Sequence, residues 1–233
     1  MEVESFKSTR EALVALTREF ILLIQENGSS PFHLALSGGD TAQRLFRLWV
    51  QDYRKKIDWP LIRFYWVDER CVSPQDEESN FKHANDLLFK PLQIPASHIF
   101  RIKGEVNPEQ EAERYSEVVK NRVTMFSDIP CFDCIILGVG NDGHTASIFQ
   151  NSMELLTDGR CYAVSTHPVT GQKRITMTGP IILNGATLFV PIVGKGKAQV
   201  MKDLINAPVP CNETPGCYIL SRAQNLTVFT DCL

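Results

Sequence analysis

The chain has 233 residues, a formal net charge of −3 and 43% hydrophobic residues. That share of apolar residues excludes a disordered chain, and no run approaches the roughly 18 apolar residues that a bilayer span needs. No cluster of Lys and Arg stands out, which argues against nucleic acid as a partner.

Ser8-Thr9-Arg10-Glu11 is a capping box, followed by Leu13, Leu16, Phe20, Ile21 and Ile24 on one helical face; Asn27-Gly28 ends that helix. Residues 32–36 read as a strand, 41–55 as a helix with Leu45, Leu48 and Trp49 facing inward, and 63–67 as the next strand. Residues 80–89 read as a helix. Asn107-Pro108 supplies a cap and a first-turn proline for a helix that runs to about residue 124. The apolar run 134–137 is a buried strand. Further strands are expected at 163–165, 174–178, 187–193 and 226–230, with helices starting at Gly179-Pro180 and at Gly196 or Lys197. Strands and helices alternate without a repeat or a linker, which predicts an α/β fold with a mostly parallel sheet covered on both faces. The seven cysteines follow no framework spacing, and the acidic start Met1-Glu2-Val3-Glu4 lacks the parts of a signal peptide. Together these predict reduced thiols in a cytoplasmic protein. Cys131-x-x-Cys134 has no second pair to complete a zinc set and reads as structural.

Gly138-Val139-Gly140-Asn141-Asp142-Gly143-His144 leaves the carboxyl end of the strand at 134–137, where open α/β sheets place ligands. Its glycines allow a tight turn, and Asp142 and His144 form an acid/base pair two residues apart. The run also fits G-x-G-x-x-G. However, the segment after it is short and broken by Asn151-Ser152, and Asp158 precedes its strand instead of ending it, which argues against a dinucleotide. On this motif alone a plain βα turn with a surface histidine remains open.

Ser37-Gly38-Gly39-Asp40-Thr41 joins the first strand to a helix. Bare amides with two hydroxyls beside them make an anion cradle, with an ordinary turn as the competing reading. It is neither a Walker loop nor a nucleophile elbow. Asp68-Glu69-Arg70 follows the second strand. Alternation puts Asp68 and Arg70 on one side, towards a ligand or into a local ion pair. Arg174 and Lys197 are each surface charges taken singly. With the Ser37 loop they could surround a dianionic phosphate, each charged hydrogen bond contributing roughly 1.5–3 kcal/mol.

Leu36-Ser37-Gly38-Gly39-x-Thr41, Asp68-Glu69-Arg70 and Glu78-Ser79-Asn80 come first along the chain. Gly138-x-Gly140-x-Asp142-Gly143-His144-Thr145-Ala146-Ser147-Ile148-Phe149, Arg174-Ile175-Thr176-Met177-Thr178 and Gly194-x-Gly196-Lys197-Ala198 follow. This ordered set spans nearly the whole chain and resembles the 6-phosphogluconolactonase family. The resemblance implies a mostly parallel, Rossmann-like open sheet with helices on both faces, shared with glucosamine-6-phosphate deaminases/isomerases, in one domain over residues 1–233. It implies hydrolysis of 6-phospho-D-glucono-1,5-lactone to 6-phosphogluconate in the oxidative pentose phosphate pathway, with no metal and no organic cofactor.

The chain departs from the family at Ala42, where proline is usual, a change that affects only helix initiation. The deaminase relatives carry a glutamate seven residues after the aspartate of the turn, and this chain has Phe149 there, which favours lactone hydrolysis over isomerisation. A third reading, a sensor that binds sugar phosphate without turnover, finds no spare segment for a DNA-binding helix-turn-helix. On the lactonase reading His144 is the general base and later the proton donor, and Asp142 orients the imidazole or holds a sugar hydroxyl. Asp68 and Arg70 bind hydroxyls or the carbonyl side, with Arg70 a candidate oxyanion partner. Ser37, Gly38, Gly39, Thr41, Arg174 and Lys197 hold the phosphate, and Asp40 must point away from it. The expected partner is a sugar phosphate lactone, not nucleic acid or membrane. The lack of an apolar stripe predicts a monomer.

Overall fold

The computed structural model describes residues 1–233. In chain order the elements are β1 (Glu2–Ser5), α1 (Thr9–Glu26), β2 (Phe32–Leu36), α2 (Gly39–Asp52), β3 (Ile62–Trp66), β4 (Asp68–Arg70), α3 (Asn80–Ala84) and α4 (Lys90–Leu92). They continue with α5 (Pro108–Lys120), β5 (Met125–Phe126), β6 (Ile129–Pro130), β7 (Cys134–Ile136), β8 (Tyr162–Thr166), β9 (Lys173–Met177) and α6 (Gly179–Leu183). The last are β10 (Leu188–Ile192), α7 (Ala198–Asn206), α8 (Pro215–Leu220) and β11 (Leu226–Thr230).

The main sheet runs β1–β11–β10–β7–β2–β3, and every pair in it is parallel. Its central strands are apolar on both faces because helices cover both, as a parallel sheet requires. The α1 stripe and the inward face of α2 meet at Phe20 and Trp49, whose rings stack at 5.1 Å, and Trp49 Nε1 donates to the buried Thr17 hydroxyl at 3.0 Å. From β2 the chain steps outward to β3, then returns past β2 to β7. This reversal opens a crevice at the carboxyl ends of β2 and β7, the position where such sheets bind ligands.

The strands expected at 163–165 and 174–178 exist but leave the main sheet. With β4 they form a separate antiparallel sheet in the order β4–β9–β8. A short turn after His167 joins β8 to β9, and antiparallel neighbours need no crossover helix. Tyr162 on β8 donates its hydroxyl to Trp66 O at 2.8 Å, and Tyr115 on α5 accepts from Trp66 N at 3.0 Å. These bonds fix the second sheet against the end of β3.

Other differences are local. The second helix spans Gly39–Asp52, and the helix expected at 80–89 becomes α3 followed by a π-helical stretch. The acidic start, read only for charge, is the edge strand β1. The expectation of reduced thiols fails for one pair, because Cys211 and Cys217 are joined in a disulfide while the other five cysteines are free. Thr214 caps α8 and brings Cys217 round to Cys211, with Cα atoms 5.6 Å apart, within bridging reach. A six-residue separation is no recognised framework, so the sequence did not signal it. No helix is long and apolar enough to cross a membrane.

Candidate active site

One cavity of about 530 Å³ occupies the switch-point crevice, and only three of its 22 lining residues are hydrophobic. Ser37, Gly38, Gly39, Thr41, Asp68, Arg70, His144, Arg174 and Lys197 all line it. Asp142 does not. Its carboxylate is exposed beside the cavity and is bonded to the histidine.

The turn after β7 is built around the imidazole. Gly140 N donates to His144 O at 2.8 Å, and Gly143 N donates to Gly140 O at 3.1 Å. A Cβ on Gly140 would lie 2.2 Å from two atoms of the His144 ring, so this glycine is the floor on which the ring rests. Asp142 Oδ1 is 2.5 Å from His144 Nδ1 and also accepts from His144 N at 3.3 Å. In the neutral ring that contact puts the proton on Nδ1 and leaves Nε2 bare, with 27% of the side chain open to solvent. Burial alone would raise the Asp142 pKa, but the adjacent His144 and its hydrogen bonds outweigh this and hold the carboxyl below its ordinary value.

The side of the cavity rich in amides and cations draws on three loops. Gly38 caps α2 without a side-chain hydrogen bond, so the first amides of the helix face the cavity unclaimed. A Cβ at Gly38 would collide with Asn80 Oδ1 at 1.8 Å, so only glycine lets the α3 asparagine close against this loop. Ser37 Oγ accepts from Gly138 N at 3.2 Å, which ties the loop after β2 to the loop after β7. Lys197 Nζ donates to Val139 O at 2.6 Å, and burial lowers its pKa. Asp40 also lines the cavity, contrary to the expectation that it points away, and its carboxylate pairs with Arg44 at 2.6 Å at the exposed rim, which offsets part of its charge.

Arg70 and Arg174 stand directly opposite each other on β4 and β9. Arg70 donates to Glu78 O at 2.7 Å. Burial, with Arg70 alongside, lowers the Arg174 pKa. The buried side-chain atoms without a hydrogen-bond partner are Arg70 Nε, Arg174 Nε, Ser165 Oγ and Asn80 Oδ1. The first three lie on one row across the second sheet, since Ser165 pairs with Arg174 on β8.

Asp68 is buried. Its Oδ2 accepts from Ser147 Oγ at 2.6 Å, and Ser147 N donates to Thr176 Oγ1 at 3.0 Å. The histidine turn is thereby bonded to the second sheet. Glu69 faces away from the cavity. It accepts from the amides of Arg70, Asn80 and Phe81, all at 2.8 Å, and from Ser79 Oγ at 3.1 Å. Burial raises its pKa although these amides oppose the shift. The second acid of Asp68-Glu69-Arg70 thus anchors the start of α3 while its neighbours line the cavity.

Sequence reasoning missed Lys195 and Arg44, which line the cavity, and gave no separate role to Asn80 or Ser147. Arg44 had a local signal, four residues after Asp40 on a helix face. Ser147 had none, because its partner Asp68 is 79 positions away.

An open α/β sheet with a switch-point cavity that gathers one reachable imidazole and several cations defines the class: an α/β enzyme for a small anionic substrate. The chain belongs to the glucosamine-6-phosphate isomerases/6-phosphogluconolactonase family, whose model matches residues 7–228. A 6-phosphogluconolactonase of Treponema pallidum (strain Nichols) is 41% identical over 194 residues, 80% of either chain. One of Aggregatibacter actinomycetemcomitans is 35% identical over 223 residues, covering 95% of this chain and 93% of its own. The crystal structure of the devB protein matches with a TM-score of 0.92 at 33% identity, covering 99% of this chain and 97% of that one.

Proposed function

We propose that this chain hydrolyses 6-phospho-D-glucono-1,5-lactone to 6-phosphogluconate, the reaction for which its relatives are named. The observation that carries the reading is that His144, bare at Nε2, opens onto the same cavity as Arg70, Arg174 and Lys197. The phosphate is held by the amides at the start of α2, the Ser37 and Thr41 hydroxyls, Arg174 and Lys197. Binding energy from that remote group places the lactone carbonyl beside the imidazole. Nε2 takes a proton from water as the oxygen attacks C1, and Asp142 steadies the imidazolium that forms. Arg70 faces the oxyanion. When the intermediate collapses, the bond from C1 to the ring oxygen breaks and the same proton passes to that oxygen. In this reading residues 1–233 form one catalytic domain that works as a cytoplasmic monomer.

Phe149 lies 4.9 Å from the His144 ring, centroid to centroid, where the deaminase pattern has a glutamate. A phenyl ring exchanges no protons, so ring opening of an amino sugar lacks its second acid. The test uses freshly made lactone with spontaneous hydrolysis subtracted, and a parallel assay for ammonia from glucosamine 6-phosphate. Turnover of the lactone alone is expected. Release of ammonia, or binding of the lactone without turnover, would overturn the assignment.

A further inference from the structure

Phe149 is 1% exposed, and Ser152 Oγ accepts from its amide at 3.0 Å and donates to its carbonyl at 3.3 Å. The backbone under the ring is therefore held by Ser152, and the ring itself is confined by its burial. Three groups of the second sheet and the histidine turn meet on it. The His144 ring lies at 4.9 Å, the His167 ring at 5.0 Å and 70°, and the Arg174 guanidinium carbon at 5.7 Å from the centroid. Arg174 has its Nε buried without a partner, so the aromatic face is a principal support for that guanidinium. His167 is fixed as well. Its Nδ1 accepts from the amides of Val169 and Thr170, both at 3.2 Å, and its own amide donates to Gln172 O at 2.9 Å. Two donors at Nδ1 place the ring proton on Nε2 and hold the imidazole in its edge-on contact with the phenyl ring.

We propose that Phe149 is a positioning residue: its ring sets the separation between the base His144 and the phosphate anchor Arg174, and His167 wedges it in place. This rests on the roles given above to His144 and Arg174. The contacts form a series, from His167 to Phe149 and from Phe149 to both functional groups, so loss of the middle member silences the outer one.

The experiment compares Phe149→Leu, His167→Ala and the double variant with the parent protein, after lactone turnover by the parent has been measured. A parent without turnover would strike at the assigned reaction, whereas the comparisons below address Phe149 alone. Phe149→Leu is expected to lower kcat about tenfold, since small misplacement of a reacting group is costly, and to raise KM severalfold. The inhibition constant of inorganic phosphate should rise by the same factor as KM, because both report the anchor. His167→Ala should show the same pattern more weakly and add nothing in the Phe149→Leu background. Three results would overturn the proposal: unchanged constants in a folded Phe149→Leu protein, multiplying effects in the double variant, or a raised KM with an unchanged phosphate inhibition constant. If Phe149→Leu does not fold, the exposed-edge variant His167→Ala decides, since the joint change in KM and phosphate inhibition must still appear in it.

Discussion

His144 is held at one nitrogen and offered at the other, and that asymmetry is what general-base chemistry asks of an imidazole. Replacing it with alanine should lower kcat about 10²–10⁴-fold, the usual share of acid–base help, with Tm nearly unchanged; near-normal turnover would remove it as the base. Arg174→Ala should act on binding instead. A charged hydrogen bond worth about 1.5–3 kcal/mol disappears, so KM should rise roughly tenfold or more while kcat falls less. A fall in kcat alone would move Arg174 into the chemistry. Lys197 gives a pH signature. On the proposed reading it holds phosphate only while protonated, and burial puts its folded pKa below the ordinary lysine value. Affinity for 6-phosphogluconate should therefore weaken as pH rises through that lowered value, earlier than a free lysine would predict. Titration calorimetry should show the alkaline limb vanish in Lys197→Met. At this scale the glycine frame and the two residues it carries were readable, because a turn writes its needs locally. The row Arg70, Arg174 and Ser165 was not, since it exists only through antiparallel register between distant strands.

Single elements show the same division. Asn107 caps α5 by accepting from Gln110 N at 3.1 Å, as cap and proline together foretold. By contrast, nothing in the run Trp66-Val67-Asp68 marks that the chain changes sheets there. β4 has only three residues, and its identity comes from β9, which pairs with it more than 100 positions later. Glu69 then joins β4 to α3 by receiving four donors. Glu69→Ala would orphan three backbone amides, that of Asn80 buried and those of Arg70 and Phe81 part-buried, and should cost about 3 kcal/mol, or ~6–12 °C in Tm for a chain of this size. Calorimetry reads this directly, and a loss below ~1 °C would mean that water replaces the carboxylate without penalty.

For the molecule as a whole, the alternation of strands and helices foretold a parallel sheet and its ligand crevice, but not the second sheet that walls the crevice on one side. Apolar pattern fixes which segments are strands, whereas partner choice among strands depends on long-range packing. Because the cavity lies between the two sheets, a bound ligand should hold them together. At about 100 times its dissociation constant, 6-phosphogluconate should add about 2.7 kcal/mol, a rise of ~5–11 °C in Tm. The same concentration should give a much smaller rise in Arg70→Ala, and an equal rise there would place the ligand elsewhere.

A cavity with so few hydrophobic walls also dictates what can compete for it. Neutral scaffolds leave its guanidinium and ammonium groups unpaired, so compound libraries rich in them will return few hits. Successful inhibitors must arrive as anions, draw their affinity from the guanidinium and ammonium groups, and lose potency as ionic strength climbs.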